Sequence, residues 1–310
     1  MKHANTLSNF KFQISTMASH KISALISGIN NFPLLPTVVG RVMEITADPE
    51  SSVQDLMKVV SADQSLAVMI LKMANSPFFG FSKSIDSLGQ ALTVLGFTEI
   101  RNMVLARAVF DSFKNVGKNN KFEMQQFWRH SFVCGLGARI IGAELKWTGH
   151  DFFVAGLIHD IGKLVMLMTF PTEFSRTVEI AEPVKKMAFK AEDSIFGVTH
   201  DEIGMILLKR WMFPESLIAA VGYHHRPREA KAETRFSLVI HAADVLAHLD
   251  ELPGNIRAEC LADGEYFGVD VVTLFREHGV EWSDAASEKF LQALAEQKEK
   301  DADLLNLFLP

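Results

Sequence analysis

Seven residues, all of types that bind divalent metals, are where this chain could do chemistry: His130, the adjacent pair His159 and Asp160, His200, the adjacent pair His224 and His225, and Asp244. Imidazole and carboxylate suit zinc, iron or manganese, and the lack of any thiolate in the set argues against a structural zinc site. Two ions bridged by a carboxylate need about this many ligands, and such a pair, roughly 3.5–4 Å apart, activates water against a phosphorus centre. The His159–Asp160 pair is the sharpest single signal. It interrupts the apolar run GLIHDIGKL, residues 156–164, where a carboxylate and an imidazole taken out of water need a partner or an ion. Lys163 follows three places on.

Each residue also has a plainer reading. A lone histidine such as His130 is more often a satisfied core or surface residue, and Lys163 reads equally well as a stem snorkelling from a helix end. His150–Asp151 is a second His-Asp doublet, but it precedes the apolar part of its helix and reads as an N-terminal cap. His241 and His248 share a helical face with Asp244 by spacing; they are weaker ligand candidates that read instead as donors orienting a ligand. His3, His20 and His278 belong to no motif and read as solvent-exposed.

Ligands this far apart in sequence must be brought together by several helices, the usual way a bundle builds a metal site. Leu157, Ile158, Ile161, Leu164, Val165 and Leu167 recur at helical spacing and predict one helix with a broad buried face running through the His159–Asp160 pair. Upstream, Ser52 and Asp55 form a capping-box pattern ahead of the stripe Val53, Leu56, Met57 and Val60. The segment SLAVMILKMANSPFFG is apolar nearly all round, which predicts a buried helix ending before Pro77 and Gly80. Phe78 and Phe79 read as a packing plug. Ile85, Leu88, Leu92 and Leu95 share a face, with a break at Gly96 and a second helix from about Thr98. Two-residue alternation is almost absent, so the fold class is all-α. The polar stretch NVGKNNKFE, residues 115–123, is the best boundary. It divides the chain into a lead-in (1–19), an N-terminal helical lobe (20–116), a helical lobe carrying all seven candidate ligands (117–250) and a C-terminal helical extension (251–310) whose charge run reads as a solvated face.

The motif HDIGK, with an isolated histidine before it and a later aspartate, resembles the HD superfamily of metal-dependent phosphohydrolases. The pattern LPTVVGRVMEI, ANSPFFG and SIDSLGQALTVLG is much more specific, and resembles the HD-related output domain (HDOD) branch of bacterial signalling proteins over roughly residues 20–250. The resemblance implies an HD-type bundle and a first metal held by His130, His159, Asp160 and Asp244. The similar HD-GYP proteins, which hydrolyse cyclic di-GMP, imply a second metal on Asp160, His200, His224 and His225, with Asp160 bridging and Lys163 neutralising substrate phosphate as the catalytic residues. After the paired histidines, however, this chain reads HHRPREAKAETRF, without the acidic residue and GYP loop of those proteins. That departure weighs against cyclic di-GMP hydrolysis. The reading is therefore a regulatory output module with a dinuclear centre, iron or manganese first and zinc, nickel or magnesium as alternatives. A phosphohydrolase acting on a nucleotide or other phosphate ester is the second reading, and a metal-free histidine core the third. A signalling protein is the expected partner, and a phosphate-containing small molecule a further one.

Bulk composition restricts the classes further. At 310 residues, 48% hydrophobic and 22% charged, the chain can bury a sizeable core. Net charge is −6 and the basic residues are scattered, which argues against a nucleic-acid partner. There is no signal-peptide pattern and no run of about 18 continuous apolar residues, so no membrane association is expected. Two distant cysteines, Cys134 and Cys260, fit reduced thiols in the cytoplasm.

Overall fold

The computed structural model describes residues 22–29, 35–77, 79–81, 83–113, 116, 123–147, 151–181, 188–262, 267 and 269–308; among these there is no strand. The chain is all-α, as the missing two-residue alternation implies. The lead-in and residues 117–122, at the expected lobe boundary, lie outside the described residues, as do His3, His20, Phe78 and His150.

Helices α1 (22–29), α2 (Thr37–Ala47), α3 (Val53–Ser61) and α4 (Gln64–Ala74) precede a long α5 (Leu88–Phe113). The capping box at α3 forms in both directions: Asp55 N donates to Ser52 Oγ at 3.3 Å and Ser52 N to Asp55 Oδ2 at 3.2 Å. Helix α4 stops short of Pro77, and Asn75 then clasps the following loop. Its amide donates to the Leu71 and Ile85 carbonyls at 3.0 and 2.9 Å, while its oxygen accepts from Ile85 N at 2.9 Å. Helix α5 breaks at Gly96, where φ is 77° and ψ 173°, a conformation open almost only to glycine. It packs against α2, α3 and α4 on one side and reaches α7 on the other. Phe79 is half-buried against the core, with the Arg139 guanidinium 5.3 Å from its ring.

The helices that carry the candidate ligands follow: α6 (Met124–Glu144), α7 (Phe152–Ile158), α8 (Ile161–Thr169), α9 (Pro171–Ala181), α10 (Ala188–Phe196), α11 (His200–Arg210), α12 (Glu215–Tyr223) and α13 (Thr234–Glu251). The single helix expected through His159–Asp160 is in fact two, α7 and α8, that meet at the doublet, with Asp160 at φ −93° and ψ 9°. Helical spacing persists across the junction because both helices bury their apolar faces in one core, so periodicity alone could not reveal the break. Asp151 also departs from expectation. It makes no cap hydrogen bond to α7 and instead takes the Arg101 guanidinium at 2.9 Å and the Ser216 hydroxyl at 3.3 Å.

Two close helix crossings flank the doublet, and each depends on a pair of glycines. A Cβ at Gly156 would lie 2.6 Å from the Gly135 Cα, which locks α7 against α6. A Cβ at Gly162 would overlap the His200 carbonyl oxygen and lie 2.8 Å from Gly204 N, which locks α8 against α11. These two contacts bring His130 on α6 and His200 on α11 to the doublet from opposite sides.

Helices α14 (Gly254–Ala262), α15 (Val269–Glu277), α16 (Asp284–Lys300) and a short α17 (Ala302–Leu305) follow, with α16 packed on α6 and α13. Near the C-terminus Phe308 is fully buried, its ring centroid 6.3 Å from Phe110, 6.1 Å from Phe132 and 6.3 Å from Phe153. The one stretch among the described residues long and apolar enough to cross a membrane is Phe152–Thr169; 83% of it is buried inside the protein, and the doublet interrupts it. Both cysteines are free thiols.

Candidate metal centre

The seven sequence-selected residues come together. His159, His200 and His224 have no exposed surface, Asp160, His130 and Asp244 are buried, and His225 is partly buried.

Helix ends orient three of the imidazoles. The last carbonyls of an α-helix lack intrahelical partners. His159 follows the end of α7 and curls back so that its Nδ1 reaches the Gly156 carbonyl at 2.7 Å; His224 follows α12 and does the same to the Val221 carbonyl at 2.8 Å. His200 opens α11, and the carboxylate of Glu192 on α10 meets both its backbone N–H, at 2.8 Å, and its Nδ1, at 2.7 Å. Carbonyls and carboxylates only accept, so each Nδ1 is the donor and each Nε2 is left with a lone pair in the neutral ring.

Those Nε2 atoms point at one another and at two carboxylates. His200 Nε2 lies 3.3 Å from His224 Nε2, 3.1 Å from His225 Nε2 and 3.0 Å from Asp160 Oδ1. His159 Nε2 is 3.4 Å from both Asp160 Oδ2 and Asp244 Oδ1, and His130 Nε2 is 3.1 Å from Asp244 Oδ1. Buried and without a hydrogen-bond partner are His159 Nε2 and Asp160 Oδ1. Lone pairs facing one another in a dry core are repulsive unless a proton or a cation lies between them. The donor set and its orphaned atoms therefore fit divalent metal, with His200, His224 and His225 as one group and His130, His159 and Asp160 as another.

In the absence of metal, protons carry the compensating charge. Burial disfavours charged His130, but hydrogen bonds to Asp244 and Glu251 outweigh it and lift the imidazole to about 9. His200 also rises to about 9, because Glu192 and Asp160 outweigh its burial. Burial, with His159 and His200 alongside, drives His224 down to about 3, and His225 falls for the same kind of reason. Burial raises the Asp160 carboxyl, yet His159, Lys163 and His200 together hold it well below the usual carboxylate range. Lys163 Nζ lies 2.6 Å from Asp160 Oδ2, so the lysine faces the centre.

His241 stands apart from the cluster: its Nδ1 reaches the His224 carbonyl at 2.7 Å and its Nε2 the Phe267 carbonyl at 3.4 Å, a role in orienting the chain near a ligand. His278 packs edge-on against Trp147, 6.1 Å between centroids. Two residues escaped sequence reasoning. Glu192 looks like an ordinary polar position on a short helix, and nothing local marks it. Glu251 had a signal: Asp244, His248 and Glu251 recur at four and three residues, one stripe along α13, and Glu251 Oε1 lies 3.3 Å from His130 Nδ1.

Comparisons with known proteins agree with this architecture. A protein from Treponema pallidum described only as uncharacterized is 24% identical over 245 residues, which is 77% of this chain and 46% of that one; the chain thus spans about half the length of this relative. A crystal structure from Shewanella amazonensis, named as a candidate phosphohydrolase, superposes with a TM-score of 0.70 at 19% identity, covering 92% of this chain and 98% of that one. An HDOD domain protein of unknown function from Geobacter sulfurreducens gives 0.68 at 21% identity over 94% and 96%. At such identities the likeness is one of fold. The HDOD domain model matches residues 32–227, well over half of the chain and inside the span that the motifs indicated, and the chain belongs to the HDOD family.

Proposed function

We propose that this chain is a signal-transduction output module whose ligand-bearing half is organised around a divalent metal centre, with His130, His159, Asp160, His200, His224, His225 and Asp244 as ligands and Asp160 between two ions. The observation that carries the reading is the convergence of Nε2 atoms whose Nδ1 partners can only accept hydrogen bonds. Membership of the HDOD family supports the signalling half of it. A metal there would supply charge that holds six helices, α6, α7, α8, α11, α12 and α13, in one arrangement, so its binding or loss can change the surface offered to a partner protein.

Elemental analysis of the protein purified without added metal tests the reading. Close to two equivalents of iron or manganese per chain are expected, and Asp160→Asn should lose most of them. Full metal content in Asp160→Asn would sink the ligand assignment.

A second reading, a phosphohydrolase, draws on Lys163. Its ammonium sits 2.6 Å from Asp160, with 18% of the side chain exposed, where it could meet a substrate phosphate. Steady hydrolysis of a generic phosphodiester such as bis(p-nitrophenyl) phosphate, lost in Lys163→Ala with metal retained, would favour this reading over a purely regulatory one.

A further inference from the structure

The Asp244 side of the centre holds one imidazole more than the seven-residue set provides. Asp244 Oδ1 is approached by three Nε2 atoms: His130 at 3.1 Å, His159 at 3.4 Å and His248 at 3.4 Å. His248 lies one helical turn beyond Asp244 on α13, the spacing that puts two side chains on the same face. Its ring stacks on that of His130, with centroids 4.3 Å apart and planes inclined by 28°, so both rings turn an Nε2 edge toward the same carboxylate oxygen. His248 Nδ1 is buried and has no hydrogen-bond partner. Three Nε2 atoms crowded on one carboxylate oxygen, the third from a partly buried ring, are arranged as ligands around a cation are. His130, Asp244 and His248 also bring one ligand atom each to within 4.8 Å of one another.

We propose that His248 is a direct metal ligand, and that with His130, His159, Asp160 and Asp244 it gives the ion on this side five protein donors, three imidazole nitrogens and two carboxylate oxygens. The inference rests on the metal-centre reading above and goes beyond it in one respect, the choice of ion. Four N/O donors suit tetrahedral zinc, whereas five suit an ion that accepts five or six ligands, such as manganese, iron or cobalt. His248 thus sets metal selectivity. Glu251, on the other nitrogen of His130, is a positioning residue that fixes how that ring meets the site.

The test uses Co²⁺ as probe on the full chain stripped by chelator, comparing wild type, His248→Ala and His248→Gln. The His248 side chain is 24% exposed, so both replacements should fold, which the far-ultraviolet circular dichroism melt checks. Wild type should show the weak visible bands of five- or six-coordinate cobalt beside the intense bands of the four-donor ion held by Asp160, His200, His224 and His225. Both variants should lose the weak bands and gain further four-coordinate intensity, bind Mn²⁺ at least about tenfold more weakly, and shift preference toward Zn²⁺. An unchanged cobalt spectrum in the variants overturns the proposal, even if affinity falls, because an orienting residue alone would give that result. Failure of wild type to take up any cobalt, manganese or zinc would overturn the metal-centre reading itself, and this proposal with it.

Discussion

Glu192 and His200 are joined twice: one carboxylate oxygen takes the backbone N–H of His200 at 2.8 Å and its ring Nδ1 at 2.7 Å. The side chain of Glu192 is 2% exposed and that of His200 not at all. The same contact satisfies the first orphan donor of α11 and turns Nε2 toward Asp160, so one residue serves both helix and site. Glu192→Gln keeps the shape but weakens the acceptor. Metal affinity should fall by about 10- to 100-fold, the usual effect of disturbing a ligand's outer partner, as read by chelator competition. Unchanged affinity with a lowered melting temperature would reduce Glu192 to a helix cap.

Gly162 offers a steric test of how the site is assembled. Any Cβ there overlaps the His200 carbonyl oxygen, and backbone on both helices leaves nothing flexible to give way. Gly162→Ala should push α8 from α11, separate Asp160 from His200 and destabilise the fold by about 1–3 kcal/mol or more. Gly254→Ala, where nothing lies within 4 Å of the added carbon, is the matched control and should be close to neutral. Urea denaturation of the two variants beside wild type gives the comparison; equal midpoints would mean that the crossing relaxes freely.

How much of this was legible in the sequence follows from the range of the forces involved. The α3 capping box, the end of α4 before Pro77 and the break at Gly96 are local, fixed by residues three or four apart, and were readable. The convergence of the seven candidate ligands was readable only because their types form a recognisable set, and His248 stood out only as a weaker candidate on the Asp244 face. The split between α7 and α8 was hidden because the apolar period carries through it. Glu192 was hidden for a different reason: its burial is decided by the arrival of α11, eight residues away, and no sequence period encodes that contact. Asp151 had the right type for a cap, but Arg101, fifty residues earlier, offers a charge-assisted hydrogen bond instead.

The capping box on α3 carries a pH signature. Hydrogen bonds from Ser52, and then from Lys58, hold Asp55 at about 2, below its ordinary 3.8. A carboxyl lowered in the folded state contributes stability that is complete above its unfolded value and lost as pH falls through the folded one. Ser52→Ala should therefore lower the melting temperature at pH 6. The gap to wild type should shrink between about pH 4 and pH 2 as Asp55 protonates in both proteins. A gap independent of pH over that window would show that the Ser52 hydroxyl acts without its carboxylate partner.

Phe308 gives the C-terminal segment a measurable role. Its ring is fully buried among Phe110 of α5, Phe132 of α6 and Phe153 of α7, three helices that meet beside the candidate centre. Phe153 also packs over Gly135, whose added Cβ would lie 2.7 Å from the Phe153 carbonyl oxygen, so the aromatic group and the α6–α7 crossing form one packed unit. Truncating such a ring removes apolar burial and leaves a cavity that rigid helices fill poorly. Phe308→Ala should cost about 3–5 kcal/mol in urea unfolding, close to the upper range for core truncations. The same variant, still folded at low denaturant, should keep its metal content, since Phe308 contacts none of the candidate ligands in the interactions described. Loss below about 1 kcal/mol would mean that the neighbouring rings close over the gap, and that the C-terminal helices contribute to this core far less than their burial implies.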